Sequence, residues 1–424
     1  MILNFTDMLY ALSYALDAVE NEFNGIMEGH GKRVAWISAC MGRTAGMSRR
    51  ELIDLTGLAI LHDNAVVEFA YHDPAESAPD RKKYVMFEDW DSFRGHCIRG
   101  EKRVRLMPFI TNPENVILYH HENADGSGPF GKTAENIPPA AQIIHLADTV
   151  DVYLHFGRIS EKDREQVERF VLGNRGIMFS PRIVDLFMET FDTAMVKSVE
   201  EMGVTRSLRS VVPEGVKDFS PKEIQGITDF FAGIVDDKSS FTRDHSVGVA
   251  RKAEEMARFY GWSEEKAERF RFAGAFHDIG KLVVNNDILE KPGRLTGDEF
   301  LEMQNHASQT YKVLSGIRGC EDITEWAANH HEKLDGSGYP RGLTEQQLSF
   351  EDRLMACIDV YQALREKRPY KDGLTHSRTI AVMRDMAARR KLDGGIIRNM
   401  DRVFGTQTGR EVSWGNPLVR CRIV

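Results

Sequence analysis

Apolar residues recur at three- and four-residue spacing through most of the chain, the pattern of helices that each bury one face, and strict strand alternation is scarce. The pattern predicts an all-α protein. His245, Val249, Ala253, Met256 and Tyr260 fall on one such face, which turns the histidine inward beside apolar neighbours. Ser263 followed by Glu264 and Glu265 reads as a helix start, and Thr296-Gly-Asp-Glu299 has the capping-box spacing ahead of a helix bearing Met303 and His306. Ser220-Pro-Lys-Glu223 is another such start, preceded by Pro213, Glu214 and Gly215. These signals divide the chain into a helical domain over 1–200, a linker over 201–218 and a second helical domain over 219–424, each with its own core.

The two halves repeat each other. His120-His-Glu-Asn-Ala-Asp-Gly-Ser-Gly128 returns as His330-His-Glu-Lys-Leu-Asp-Gly-Ser-Gly338, an offset of 210. In the same order His30 matches His245 and His62-Asp63 matches His277-Asp278, both at 215, while His96 matches His306 at 210 and Asp148 matches Asp359 at 211. Ten of the 14 histidines fall into these pairs, so histidine use is concentrated where the repeat is. The ends agree too, since Phe179-Ser-Pro-Arg-Ile-Val-Asp-Leu-Phe187 parallels Leu392-Asp-Gly-Gly-Ile-Ile-Arg-Asn-Met400 in apolar pattern. The reading is two tandem helical domains of one kind.

Composition narrows what such domains do. With 42% hydrophobic and 28% charged residues, and no apolar run near the ~20 residues of a membrane helix, a soluble globular chain without a membrane partner is expected. Asn4, Thr6 and Asp7 interrupt the first fifteen residues, which therefore do not resemble a signal peptide, and a cytoplasmic location is expected. Cys40, Cys97, Cys320, Cys357 and Cys421 include no C-x-x-C pair and read as reduced core residues. A net charge of −9 argues against a nucleic-acid polymer as partner, while leaving room for a small anion held through metal ions.

In the second half His245, His277, Asp278, His306, His330, His331 and Asp359 supply five imidazoles and two carboxylates from separate helices, the kind of set that converges in a helical bundle to bind metal. The adjacent His277-Asp278 lets one carboxylate bridge two ions. Mixed imidazole and carboxylate donors favour iron or manganese, with zinc or nickel as alternatives, over calcium or magnesium. Two such ions ~3.5–4 Å apart hold a bridging hydroxide and clamp the entering and leaving oxygens of a displacement at phosphorus. The chemistry implied is phosphodiester hydrolysis with two divalent transition-metal ions.

The combination of His-Asp-Ile-Gly-Lys281 with His330-His-Glu-Lys-Leu-Asp-Gly-Ser-Gly-Tyr-Pro340 resembles the HD-GYP domain, a family of all-helical bacterial cyclic-dinucleotide phosphodiesterases. The resemblance covers about 219–405 and includes Asp237-Lys-Ser-Ser-Phe-Thr-Arg-Asp-His-Ser246, Lys291-Pro-Gly-Arg-Leu-Thr296 and Arg368-Pro-Tyr-Lys371. It implies that His245, His277, Asp278 and Asp359 hold one metal, and that Asp278, His306, His330 and His331 hold the other. It further implies catalytic roles for Asp278 and Lys281, the latter at the scissile phosphate and its leaving oxygen. Arg368, Lys371 and Tyr339 become substrate contacts, with Lys291 and Arg294 as weaker candidates. Glu332 is expected to orient a ligand histidine. Phe241 stands where some members carry a third-metal glutamate, so two metals are expected. Gln362 replaces the acid that usually follows the last ligand by three positions.

The first half keeps a full set at the ligand positions in His30, His62, Asp63, His96, His120, His121 and Asp148, a second candidate metal set. Around it the lysine position is Val66, Gly128-Pro129-Phe130 stands for Gly-Tyr-Pro, and the Lys-Pro-Gly and Arg-Pro-Tyr-Lys segments have no counterpart. A structural or regulatory role is expected for this half. The substrate implied for the whole is a cyclic dinucleotide, cyclic di-GMP or 3′3′-cyclic GMP-AMP, opened to a linear 5′-phosphorylated dinucleotide. Two readings compete: a non-catalytic nucleotide-sensing module acting through a homo-oligomer or a signalling-protein partner, and an HD phosphohydrolase of mononucleotides.

Overall fold

The computed structural model describes residues 1–24, 29–65, 90–154, 161–238, 245–291, 293–366 and 372–405. The fold is all-α apart from one small ribbon. The first half is built from α1 (Phe5–Asn24), α2 (His30–Thr44), α3 (Arg49–Ile60), α4 (Trp90–Val104), α5 (Pro139–Tyr153), α6 (Glu161–Gly173) and α7 (Pro181–Thr190). Two further helices, α8 (Thr193–Met202) and α9 (Val204–Val211), lead to the second half. That half comprises α10 (Pro221–Lys238), α11 (His245–Phe259), α12 (Glu264–Phe276), α13 (Asn286–Leu289), α14 (Gly297–Leu314), α15 (Glu321–Ala328), α16 (Phe350–Arg365), α17 (His376–Ala388) and α18 (Gly394–Gly405). Strands β1 (Ile2–Asn4) and β2 (Val216–Asp218) pair antiparallel, with Leu3 opposite Lys217.

Local chemistry starts these helices where the sequence placed the starts. Thr296 and Glu299 close a capping box at α14, the Ser263 hydroxyl accepts from the Lys266 N–H at α12, and Ser220 and Glu223 bond each other reciprocally at α10. Along α11 His245, Val249, Ala253 and Met256 are buried together, as their spacing requires. Among the described residues no helix is long and apolar enough to cross a membrane.

The stretch 201–218, read from sequence as a linker, carries α9 and β2, and α9 packs on α2. The two cores anticipated from chain length are joined: one cluster of buried side chains runs from Met1 to Phe404. The reason is that the first helix of each half also touches the other half. Helix α1 lies against α14 and the 3-10 turn Ile279–Val283 of the other half, while α10 reaches back to the end of α4. Tyr14 donates its hydroxyl to Gln309 at 3.2 Å, and Arg103 pairs with Asp237. Asp7, buried, takes Arg209 at 2.8 Å and Arg318 at 2.5 Å, tying α1 to the connector and to the second half.

This seam needs close backbone contact at Gly226, where a Cβ would stand 2.2 Å from the Leu106 carbonyl oxygen. At the repeat offsets Gly226 matches Ala11 and Leu106 matches Gly316, and Ala11 and Gly316 meet each other across the other face of the seam. Gly226→Ala gains up to about 1 kcal/mol of helix propensity but forces a carbonyl to move, which costs about 1–3 kcal/mol. The thermal midpoint should therefore fall. Gly233, on the same helix with nothing within 4 Å of its absent Cβ, is the control: Gly233→Ala should raise it. A melting curve that moved the same way for both variants would contradict the close-contact account.

Candidate metal centre

In the second half the ligand positions arrive from five segments. His245 opens α11, and His277 caps α12 with Asp278 beginning the 3-10 turn. His306 lies within α14, His330 and His331 follow α15, and Asp359 lies within α16. Gly280 makes the approach of α14 possible, because a Cβ there would lie 2.0 Å from the His306 carbonyl oxygen. Thr310 fastens the same contact: its hydroxyl donates to the His277 carbonyl at 2.8 Å and accepts from the Gly280 N–H at 3.1 Å.

All seven residues converge. Asp278 Oδ2 stands 3.2 Å from His277 Nε2 and 3.8 Å from His245 Nε2, while Asp278 Oδ1 stands 3.5 Å from His306 Nε2 and 3.7 Å from His330 Nε2. Its two oxygens thus face two histidine groups. Asp359 Oδ1 lies 3.2 Å from His245 Nε2, and its Oδ2 lies 3.7 Å from His331 Nδ1.

The histidine tautomers follow from their neighbours. His277, His306 and His330 each place Nδ1 on the carbonyl oxygen three residues earlier, Gly274, Met303 and Ala327, at 2.7, 2.5 and 2.6 Å. A carbonyl only accepts, so Nδ1 donates and Nε2 presents a bare lone pair. His306 and His330 then face each other Nε2 to Nε2 at 3.4 Å, two lone pairs with no proton between them. Among the described residues buried Asp278 Oδ1 has no hydrogen-bond partner. Such an arrangement is repulsive until a cation lies within it, and the donors fit divalent metal.

Electrostatics agree. Burial pushes His306 down to about 4 and His330 to about 3, so both are neutral donors near pH 7. Burial would raise the Asp278 carboxyl, but His277 and Lys281 outweigh it and hold it well below the usual carboxylate range. Lys281 donates to Asp278 Oδ2 at 2.5 Å from the rim of the cluster.

The remaining candidates divide. Tyr339 stands its ring 4.7 Å from that of His331, at the rim. Lys291 pairs with Glu299 at 2.6 Å and Arg294 is exposed, and among the described residues neither bonds to the seven. Arg368, Lys371 and Phe241 lie outside the described residues. Glu332 does not hold a ligand histidine as expected. Its carboxylate accepts from the backbone N–H groups of Arg341, Gly342 and Leu343 at 2.7, 3.1 and 2.9 Å, which folds the turn bearing Tyr339 back against the site.

In the first half His30, His62, Asp63, His96, His120, His121 and Asp148 converge in the same way. Asp63 Oδ1 is 3.5 Å from both His96 Nε2 and His120 Nε2, Asp63 Oδ2 is 3.5 Å from His62 Nε2, and Asp148 Oδ1 is 3.4 Å from His30 Nε2. Glu122 gathers the backbone N–H groups of Phe130 and Lys132, repeating the role of Glu332. Val66 lies outside the described residues.

The sequence reading missed Glu366. His245 Nδ1 meets Glu366 Oε1 at 2.9 Å, whereas the matching His30 Nδ1 meets Asp151 Oδ2 at 2.8 Å, with Arg33 on the other oxygen at 2.7 Å. Gln362 occupies the Asp151 position, and the acid has moved one helical turn on to Glu366. Gly248, at the Arg33 position, makes room: a Cβ there would lie 2.3 Å from the Gln362 amide. The signal available was an acid four residues after the position where one was lacking.

Glu366 gives this centre a pH dependence. Burial would lower His245, but Asp359 and Glu366 outweigh it and push it up from 6.5 to about 10. A raised folded pKa stabilises fully below the unfolded value and is lost as pH climbs through the folded one. In metal-free protein, wild type should therefore exceed Glu366→Gln by about 1.5–3 kcal/mol near pH 6, with the gap closing towards pH 10. Comparing the two variants cancels the other titrating groups. Paired denaturant titrations across this range check it, and a gap independent of pH would refute it.

Comparison with known proteins places these features in a lineage. A family model described as HD domain matches residues 20–165 and again 229–396. The chain is 30% identical over 421 residues to "3′3′-cGAMP-specific phosphodiesterase 1" of Vibrio cholerae, covering 95% of this chain and 93% of that protein. It is 38% identical over 130 residues to "Cyclic di-GMP phosphodiesterase response regulator RpfG" of Xanthomonas campestris, covering 30% of this chain and 34% of the other. Among solved structures, that of a cyclic GMP-AMP specific phosphodiesterase of V. cholerae, V-cGAP3, superimposes with a TM-score of 0.65 at 22% identity over 96% of this chain and 98% of the other, a likeness of fold.

Proposed function

The chain belongs to the HD domain family, in two copies, and from that premise we propose that it is a metal-dependent phosphodiesterase hydrolysing a cyclic dinucleotide at its second copy. The observation that carries the proposal is the convergence of His245, His277, Asp278, His306, His330, His331 and Asp359 around buried lone pairs, with Lys281 beside them. These residues would hold divalent metal, which would supply an activated water and charge neutralisation at the phosphate. The chain's own residues do the rest. Asp278 divides its oxygens between the two histidine groups and so sets their spacing. Glu366 holds the His245 ring by Nδ1, and backbone carbonyls hold three of the others. Lys281 places an ammonium at the rim, where it meets the scissile phosphate and hands a proton to the departing ribose oxygen.

The product is a linear 5′-phosphorylated dinucleotide. Between the two substrates, 3′3′-cyclic GMP-AMP is favoured over cyclic di-GMP, because the relative that aligns through both copies is named for the former, and RpfG, named for cyclic di-GMP, aligns over 30% of this chain. The first copy, with Val66 at the lysine position, takes a structural or regulatory part. Purified protein with its metals analysed should open 3′3′-cyclic GMP-AMP in a timed assay read by chromatography of the products. Metal-replete protein that leaves both cyclic dinucleotides intact would overturn the reading, and would favour a nucleotide-sensing module.

A further inference from the structure

Cys97 follows the ligand-position histidine of α4, and its thiol faces the metal-type cluster of the first copy. We propose that this copy holds an ion of the zinc class in a thiolate-containing site made by His96, Cys97, His120 and His121, different in chemistry from the nitrogen-and-oxygen set of the second copy. Each of the four residues offers one donor atom, and these atoms all lie within 4.8 Å of one another. Cys97 Sγ is 3.7 Å from His96 Nε2, and His96 Nε2 is 3.2 Å from His121 Nε2 and 3.5 Å from Asp63 Oδ1. A tetrahedral ion bonded at about 2.0–2.1 Å to nitrogen or oxygen and about 2.3 Å to sulfur sets neighbouring donors about 3.3–3.6 Å apart. The Cys97–His96 and His96–His121 spacings lie within about 0.1 Å of that range, and Cys97 Sγ also stands 3.8 Å from His120 Nδ1.

A second observation points the same way. Among the described residues His120 Nε2 is buried in this cluster without a hydrogen-bond partner, as are Asp63 Oδ1 and His62 Nε2 beside it. His120 already donates Nδ1 to the Ile117 carbonyl at 2.6 Å, so its Nε2 is a bare lone pair. Such an orphan costs about 1–3 kcal/mol, and an ion held by these four residues relieves the one on His120.

The bland account of a buried cysteine is a small hydrophobe. It suits Cys40, Cys320 and Cys357, which are buried and belong to no donor group among the described residues. It does not suit Cys97. At the repeat offset its place in the second copy is Ala307, so the thiol is a property of the first copy alone. Thiolate favours zinc-class ions over the harder ions that carboxylate-rich sets accept. The site also lies where an ion would brace the fold: it would tie α4 to the turn at 120–121, and α4 ends in the Arg103 and Leu106 contacts that seat α10.

The test uses the full chain loaded with cobalt(II), whose thiolate-to-metal charge-transfer band reports sulfur ligation whatever the second copy binds. Wild type should show that band together with the visible bands of a tetrahedral ion. Cys97→Ser should lose the band and hold zinc at least about tenfold more weakly in competition with a chelator. Asp278→Asn, which strikes only the second copy, should keep the band, so failure here is distinct from failure of the phosphodiesterase reading. Wild-type cobalt protein without a thiolate band overturns the proposal however the variants fold, and so does a band that survives in Cys97→Ser.

Discussion

Asp278→Asn should reduce turnover of 3′3′-cyclic GMP-AMP by at least about a thousandfold and strip the second copy of metal, while Asp63→Asn leaves most of the activity. Removing a group that merely supports a metal ligand costs about 10–100-fold. Asp278 does more. Its Oδ2 stands 3.2 Å from His277 Nε2 and its Oδ1 stands 3.5 Å from His306 Nε2, so one carboxylate serves both histidine groups and its loss disables both. An amide keeps the shape but presents one neutral oxygen and an NH₂ where two anionic oxygens stood, and the NH₂ donates towards imidazole nitrogens without taking part in metal binding. Because Asn is nearly isosteric and Asp278 itself lies just beyond a helix end, the fold should persist, which circular dichroism would confirm. The paired assay of Asp278→Asn and Asp63→Asn, with metal content measured on both, decides which copy performs the chemistry. Equal losses in the two variants would sink the assignment of catalysis to the second copy alone.

The repeat made much of this site legible before any coordinates. Period-three-and-four spacing along α11 put His245 on the buried face, because a helix gives each residue one direction and an apolar stripe fixes which direction is inward. Matched histidines at offsets of 210–215 identified the rest, since an isolated buried histidine has many explanations and a duplicated constellation has few. What spacing did not carry was contact between segments distant in sequence. Glu366 reaches His245 from the end of α16, and only the register of α16 against α11 tells that it replaces the acid missing at Gln362. Glu332 was misread because sequence adjacency to His330 and His331 suggested a shared task, whereas its carboxylate points to the backbone of the following turn. The joined core had the same origin: the seam between the halves depends on Gly226 lying against Leu106, a meeting of residues 120 positions apart that periodicity does not record. Cys97 looked like any core thiol until its histidine neighbours were placed around it.

Lys281→Met should lower kcat for cyclic dinucleotide hydrolysis by about 10²–10³-fold with a smaller change in KM and little loss of metal. The ring of ligand positions is common to both copies, and the charge that distinguishes the second is this ammonium, which donates to Asp278 Oδ2 at 2.5 Å with its side chain 17% exposed. A group at that place has two uses. It tempers the negative charge on Asp278, which divalent metal would also do, and under the proposed function it meets a phosphate oxygen and the departing ribose oxygen. Only the second use is specific to the transition state, because the leaving oxygen carries charge when its bond to phosphorus breaks and not before. Methionine keeps the length and apolar stem of lysine, so packing changes little and the comparison isolates the charge. If Lys281 serves chiefly to position Asp278, Lys281→Met will lose metal along with activity, and added metal will restore turnover. If it serves the leaving group, metal content will stay near the wild-type level, and added metal will restore nothing. Full activity in Lys281→Met at normal metal content would remove the feature that separates the two copies and reopen the first as a catalyst.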